Sequence, residues 1–279
     1  MTKVIVEVFG GLGNQLFQLS AARYLQTFNL NVSIDCSPNR INKARENEIG
    51  ELARSVNLLE RRSKVTFPDI SKLRYRVSAK FPFFSDIQIE TFNFSIPSPI
   101  FLRNSMRYRG YWQNVKCAET LRSVVREYVS PLAANSVGVH IRKGDYLNPK
   151  HSGLHGELPD SYFVNAIQEI AKITDSRTIV LYSDSPNLIR NLFSKLISLG
   201  WSVRVDESTD PWETLRLLSG HRFLVASNST YSWWAGFAGI SEVCYFPSEW
   251  FIGLPFPDEL FFDKARKIPT SLANPSLME

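Results

Sequence analysis

Residues 137–146 read VGVHIRKGDY. Val137, Val139 and Ile141 alternate with Gly138, His140 and Arg142, the period-two pattern of a pleated strand. Lys143-Gly144-Asp145 follows as a turn signal at the strand's exit. In open α/β sheets, ligands bind just beyond the carboxyl ends of strands. His140, Arg142, Lys143 and Asp145 therefore crowd where a ligand would sit. An arginine offers a planar fork matched to phosphate, and a lysine adds a point charge. A solvated surface turn is the ordinary alternative for such a run, so neighbouring strand exits must decide between the two.

Downstream the alternation is regular. The pattern predicts strands at 178–183 (TIVLYS), 202–206, 222–227 (RFLVAS) and 242–246 (EVCYF). Between them it predicts helices at 160–173, 186–199, 211–219 and 231–239, with a further helix from Asp258. Strands alternating with helices imply a parallel sheet flanked by helices, whose strand exits share one rim. Strand 178–183 delivers Ser183 and Asp184 there. Strand 222–227 delivers Ser227, Asn228, Ser229 and Thr230, just before the helix expected at Tyr231. Hydroxyls and an amide at a helix N-terminus suit phosphate, although a serine or threonine cap needs no ligand. Asp145 or Asp184 has the chemistry to accept from guanine N–H groups or ribose hydroxyls. Three such exits together point to a nucleotide-bearing ligand.

Upstream, 3–8 reads as a buried strand, Gly10-Gly11-Leu12-Gly13 as a tight turn, and 14–28 as a helix with Phe17, Ala21, Tyr24, Leu25 and Phe28 on one stripe. A second strand covers 31–35. The glycines let backbone N–H groups approach an anion at the helix start. Gly11-x-Gly13 with Asp35 partly matches a dinucleotide fingerprint, but Leu16 stands at its third glycine. Residues 36–70 read as short helices and loops, and 75–105 as irregular and rich in Phe, Pro and Ser. A strand at 106–112 (MRYRGYW) and a helix at 115–128 follow. Ser130-Pro131 breaks that helix, giving domains 1–130 and 131–279.

A chain of 279 residues with 44% hydrophobic content supports one large or two ordinary domains. No run approaches the ~18–20 apolar residues of a membrane span. The N-terminus lacks a signal-peptide apolar core, so a cytoplasmic protein is expected. Cys36, Cys117 and Cys244 are too scattered for a disulfide framework or zinc knuckle, and the four histidines lack metal-ligand spacing. The net charge of +5 is uneven: residues 40–126 hold 17 Lys/Arg against 8 Asp/Glu (+9), the rest 15 against 19 (−4). Such a basic face suits peripheral contact with an anionic membrane, a phosphate-bearing substrate or simple solvation. No nucleic-acid-binding signature is present.

Gly10-Gly11-Leu12-Gly13-Asn14-Gln15, His140-Ile-Arg142-Lys143-Gly144-Asp145-Tyr146, Tyr182-Ser183-Asp184 and Ser227-Asn228-Ser229-Thr230-Tyr231-Ser232-Trp233-Trp234 together resemble the ordered motifs of the family 11 α-1,2-fucosyltransferases. The set spans nearly the whole chain. The resemblance implies a GT-B-like α/β fold of two Rossmann-like domains facing a cleft. The N-terminal domain would lie on the acceptor side and the C-terminal one would bind the GDP-sugar. It further implies GDP-β-L-fucose as donor substrate, no cofactor or metal, inversion at the anomeric carbon, and an acceptor glycan whose terminal galactose takes fucose on its 2-hydroxyl. In two places this chain departs from the family pattern. Lys143 stands where an arginine is usual, and Ser185 where an acidic residue usually follows Asp184.

The donor-binding set so implied is Gly11, Gly13, Asn14, Gln15, His140, Arg142, Asp145, Ser183, Asp184, Ser227, Asn228, Ser229, Thr230 and Tyr231. Departure of the diphosphate calls for fixed positive charge and N–H donors, which makes Arg142, with Asn14, the expected catalytic pair. Asp145, His155, Glu157 and Asp160 are the candidates to take the acceptor's proton. Three alternatives stay open at this level: another GDP-sugar or linkage, a dinucleotide- or S-adenosylmethionine-binding enzyme, and a non-catalytic glycan- or membrane-binding protein. A peripheral place at the inner membrane would fit the basic face.

Overall fold

A computed structural model describes residues 3–37, 48–60, 87–89, 94–97, 105–131, 134–143 and 154–272. The chain divides into two units, Met1–Tyr128 and Val129–Glu279.

Unit 1 is built on a sheet of five strands: β1 (Lys3–Glu7), β2 (Asn31–Asp35), β3 (Leu59–Glu60), β4 (Ile87–Ile89) and β5 (Ser105–Arg109). Their order is β3-β2-β1-β5-β4, and every neighbouring pair is parallel. Parallel neighbours need long crossovers. Among the described residues α1 (Leu12–Gln26) joins β1 to β2, the short α2 (Gly50–Ser55) precedes β3, and α3 (Val115–Val129) follows β5. Two predicted loop regions thus contain strands, β3 in 36–70 and β4 in 75–105. The rest of 61–104, apart from 94–97, lies outside the described residues.

Helix α1 departs from the expected amphipathic stripe. Leu16, Phe17, Leu19, Ala21, Ala22 and Leu25 are all buried, together with Gln15, Gln18 and Ser20. Tyr24 and Phe28 instead pair edge-on at its outer end, where Phe28 is 44% exposed. Helix α3 adds cover, its Thr120 hydroxyl donating to the Ser20 carbonyl at 3.2 Å. A helix packed on two sides needs no polar face, so a one-stripe reading underestimates its burial.

Unit 2 carries six strands in the order β13-β10-β9-β6-β7-β8, again all parallel. They are β6 (Ala134–Ile141), β7 (Thr178–Ser183), β8 (Ser202–Val205), β9 (His221–Val225), β10 (Val243–Pro247) and β13 (Ala265–Ile268). The intervening helices are α4 (Asp160–Ala171), α5 (Arg190–Ser198), α6 (Pro211–Ser219) and α7 (Thr230–Ala238). A small antiparallel hairpin, β11 (Glu249–Phe251) with β12 (Leu254–Pro255), precedes β13. The helix expected from Asp258 is absent. One 3-10 turn (Asp258–Leu260) leads into β13, which pairs with β10 from Cys244↔Ala265 to Pro247↔Ile268. Its outer pair Arg266 and Lys267 is exposed while Ala265 and Ile268 are buried, so no alternation marks it as a strand.

Val137, Val139 and Ile141 of β6 point into the main core with Ile179, Leu181, Phe223, Val225 and the α4 residues Phe163, Ile167 and Ile170. The opposite face of β6 carries Ser136, Gly138 and His140. There the buried His221 bonds through Nδ1 to the Ser136 hydroxyl and through Nε2 to the Tyr182 hydroxyl, each at 2.8 Å. A Cβ on Gly138 would stand 2.5 Å from His221 Cδ2, so only glycine fits beneath that ring. Burial, helped by the charge of Arg204, pushes His221 down to about 4. The ring is therefore neutral at pH 7, with one nitrogen donating and the other accepting.

This depressed value makes stability depend on pH. The unfolded chain protonates this histidine near its ordinary value while the folded one does not, so the unfolded state binds more protons between the two values. Stability is complete above that window and falls as pH drops through it, on the order of 1 kcal/mol per pH unit. Urea unfolding of wild type and His221→Gln, titrated from about pH 7 to 4.5, should give a shallower slope for the variant. Equal slopes would refute a neutral buried His221.

Candidate functional site

In a parallel sheet the exits of two adjacent strands lie open where the strand order reverses. In unit 2 the chain steps outward from β6 to β7 to β8, then returns to β9 on the other side of β6. The reversal lies between β6 and β9. His140 and Arg142 leave β6 at that point, and Ser227 to Thr230 leave β9.

His140 spans the reversal. It is 5% exposed, and its Nδ1 stands 2.9 Å from the Ser227 hydroxyl. Its ring lies 5.4 Å from that of Tyr231. Burial, and then the neighbouring Arg142 charge, push His140 down to about 3, with Asp184 opposing in part. It is a neutral hydrogen-bonding group, and the positive charge at this exit stays on Arg142.

Arg142 is held from β7. Its Nε lies 3.3 Å from Asp184 Oδ2, and Asp184 Oδ1 accepts the Lys143 amide at 3.0 Å. One carboxylate thus clamps both the guanidinium and the turn that carries it. Lys143 points elsewhere, pairing through Nζ with Glu157 at 2.6 Å. Its charge tethers the returning loop, and Glu157, a candidate base, is engaged by that pair. Asp145 lies outside the described residues.

The other exit residues mostly organise backbone. Ser183 Oγ accepts the Ser185 amide at 3.0 Å and closes its own turn. Ser229 is the N-cap of α7, its hydroxyl accepting the Tyr231 amide, and Thr230 opens the helix. The Tyr231 hydroxyl donates to the Pro211 carbonyl at 2.6 Å. Buried Asn228 donates through Nδ2 to the His155 carbonyl at 2.8 Å and to the Trp250 carbonyl at 3.2 Å. The His155 ring packs 5.2 Å from Phe251, and Ile252 donates its amide to the Leu154 carbonyl. The segment from Leu154 to Glu157 is thereby fixed to Asn228, to the β11–β12 hairpin and to Lys143.

In unit 1 the order reverses between β1 and β5. Gly10, at φ 84°, takes the left-handed turn out of β1, with Asn14 just beneath it. A Cβ on Gly11 would meet no described atom within 4 Å, so there is room beside its Cα. Gly13 is buried inside α1. Gln15 donates to the Gly10 carbonyl at 2.9 Å and accepts the Glu48 amide at 3.0 Å, so its amide ties the turn to the segment at Glu48. Asn14 Oδ1 accepts from Gln113 Nε2 at 3.3 Å.

Asp35 is not placed as a dinucleotide fingerprint requires. It is buried, accepts the Ser37 amide, and pairs with Arg107 at 2.8 Å. Glu7, also buried, takes Arg107 at 3.1 Å and Arg109 at 2.5 Å. Burial alone would lower the Arg107 value. The hydrogen bond donated to Asp35 and the charges of Glu7 and Asp35 outweigh it and raise the value. Two arginines of the basic stretch are thus neutralised within the unit. Much of the remaining excess of that stretch, Arg61-Arg62-Ser63-Lys64 and Lys72, Arg74 and Arg76, lies outside the described residues. Gln18 and Gln113 escape sequence reading; the available signal is a second amide, Gln18, three residues after Gln15 on a helix otherwise apolar on that side.

Among the described residues, no three His, Cys, Asp or Glu side chains gather as a metal ion would need, and no helix is long and apolar enough to cross a membrane. The sequence profile of glycosyl transferase family 11 matches residues 6–250. An α-1,2-colitosyltransferase of Escherichia coli is 24% identical over 90% of this chain and 93% of that protein. The O-antigen biosynthesis glycosyltransferase WbnK of Escherichia coli is 28% identical over 88% of this chain and 93% of that protein. Among solved structures, the E. coli heptosyltransferase WaaC with ADP-2-deoxy-2-fluoro heptose matches with a TM-score of 0.50 at 12% identity, covering 96% of this chain and 93% of that one. That likeness speaks to the fold, two Rossmann-like units of the GT-B-like class.

Asn228→Ala should cost about 1–3 kcal/mol in urea unfolding, because two buried carbonyls lose their donor. Amide exchange at Gly156 should accelerate with it. Unchanged stability and exchange would mean that the segment is held without Asn228.

Proposed function

The chain belongs to glycosyl transferase family 11, and on that premise we propose that it moves L-fucose from GDP-β-L-fucose to the 2-hydroxyl of a terminal galactose, inverting the anomeric carbon without a metal ion. The observation that carries the reading is Arg142, clamped by Asp184 beside a neutral His140, where the strand order of unit 2 reverses. The α-1,2 linkage in the name of one relative and O-antigen biosynthesis in that of the other support linkage and acceptor class. The sequence contains no Asp-x-Asp pair of the kind that holds a metal beside a sugar nucleotide.

Transfer breaks the bond from the anomeric carbon to a diphosphate oxygen. Positive charge grows on the sugar and negative charge on the diphosphate. A guanidinium already fixed in place stabilises that charge with little reorganisation, and losing one such contact typically costs about 10²–10³ in rate. Arg142 takes this role. Ser227, Asn228, Ser229, Thr230 and Tyr231 shape the turn and the helix N-terminus beside it, which favours an anion, and Ser183 and Asp184 hold the neighbouring exit. The acceptor 2-hydroxyl attacks the opposite face of the sugar, which gives inversion. Asp145 and His155 are assigned as the candidates to receive its proton. Gly11, Gly13, Asn14 and Gln15 are assigned to substrate binding within unit 1, with the Gly11 amide and the Asn14 side chain as its donors.

The colitosyltransferase relative favours one second reading. Colitose is L-fucose without its 3-hydroxyl, so a site for one sugar has the shape for the other.

The test is GDP release from GDP-fucose or GDP-colitose in EDTA, with and without lactose. Acceptor-dependent release is expected, and the faster donor selects between the two sugars. No acceptor-dependent release with either donor overturns the proposal. Arg142→Ala should lower turnover by about 10² or more at an unchanged melting temperature, and near-normal turnover would remove Arg142 from its role.

A further inference from the structure

In unit 1 the reversal between β1 and β5 brings two aromatic rings together. Phe9 leaves β1 and Tyr111 follows β5, with ring centroids 5.2 Å apart and planes tilted by 58°. Both rings are partly exposed, whereas Phe17, Tyr108 and Trp112 in the same unit are buried. Core filling therefore accounts for those three and not for this pair. The Arg109 guanidinium lies 5.3 Å from the Phe9 ring centre while bonded to Glu7.

The backbone under the pair is held with unusual care. Gln18 is fully buried in α1, yet its side chain serves both exits. Its Oε1 accepts the Phe9 amide at 2.9 Å, and its Nε2 donates to the Gly110 carbonyl at 3.0 Å. Next to Tyr111, buried Trp112 adopts φ 53°, a left-handed conformation that a bulky residue rarely takes. Its carbonyl accepts the Asn114 amide at 2.8 Å. Such conformations cost about 1–3 kcal/mol and persist where the surroundings impose them. Here the twist separates an outward Tyr111 from a buried Gln113, whose amide reaches Asn14. Two tilted rings, a guanidinium and the Asn14 and Gln113 carboxamides thus gather at one end of the unit's sheet.

A pyranose ring presents an apolar C–H face and a rim of hydroxyls. The first suits aromatic surfaces, and the second suits amide and guanidinium donors. We infer that Phe9 and Tyr111 form a platform on which a pyranose of the acceptor glycan stacks, with Arg109 and Asn14 at its polar edge. The inference rests on the glycosyltransferase reading and assigns specificity to residues outside the motifs that carry the resemblance.

The test uses the whole enzyme with lactose as the acceptor probe. Phe9→Ala and Tyr111→Ala should each raise the KM for lactose about ten-fold or more, with the Kd for GDP by calorimetry within about two-fold of wild type. Saturation-transfer NMR of lactose on the unmodified protein should give a signal that both variants lose. If wild type binds lactose through these rings but transfers no sugar, the platform stands and the proposed reaction falls. If wild type transfers sugar and both variants keep its KM for lactose, the reaction stands and the platform falls. Equal weakening of GDP binding in both variants would also overturn it, because the rings would then serve the nucleotide.

Discussion

A strand in a parallel sheet cannot reach its neighbour by a tight turn. It must cross the face of the sheet, and a helix is the usual means. Every neighbouring pair in both sheets here is parallel. All carboxyl ends in a sheet therefore emerge along one edge, and successive crossovers cover most of that edge. Between β6 and β9 the crossovers leaving the two strands depart in opposite directions, to β7 and to β10, and in unit 1 β1 lies beside β5, the last strand of its sheet along the chain. Those two places are where the chain can present side chains to a ligand, and its least ordinary side chains stand there.

The two edges treat charge differently. At the β6–β9 edge the histidine is kept neutral and Arg142 shares a single carboxylate with the Lys143 backbone. The result is a fixed positive group whose surroundings are already polarised. At the β1–β5 edge two buried carboxylates take up two arginines. Among the described residues, aromatic and amide side chains stand beside those pairs. The two edges thus differ in how their arginines are held, by one half-buried carboxylate in unit 2 and by two buried ones in unit 1.

Much of this is readable in the sequence. Strand 137–142 announces itself by strict alternation, and the following helices by their apolar period. Several strands are hidden, two of them for plain local reasons. β3 has two residues, and β13 turns two adjacent charged residues outward, so neither shows alternation. Pairings across the edges are harder. Arg142 meets Asp184 from the neighbouring strand, which a shared rim makes foreseeable. His140 meets Ser227 only because β9 returns beside β6, and strand order is not written in local pattern. The Gln18 tether is harder still, joining main-chain atoms 9 and 92 residues away. No residue preference at Phe9 or Gly110 advertises it. Ser183 and Ser229 show the opposite case: apparent ligand groups whose side chains are turned to a local turn and a helix cap.

The contact of Gly138 with His221 has a consequence for how this sequence can change over generations. Alanine at 138 is excluded while an imidazole lies 2.5 Å from where its methyl would sit. A small residue at 221 would strand the hydroxyls of Ser136 and Tyr182, which now meet through that ring. Neither position can drift alone without loss, although 83 residues separate them in the chain. They form one inherited character, and in diverging copies of this gene the glycine and the histidine should be kept together or exchanged together.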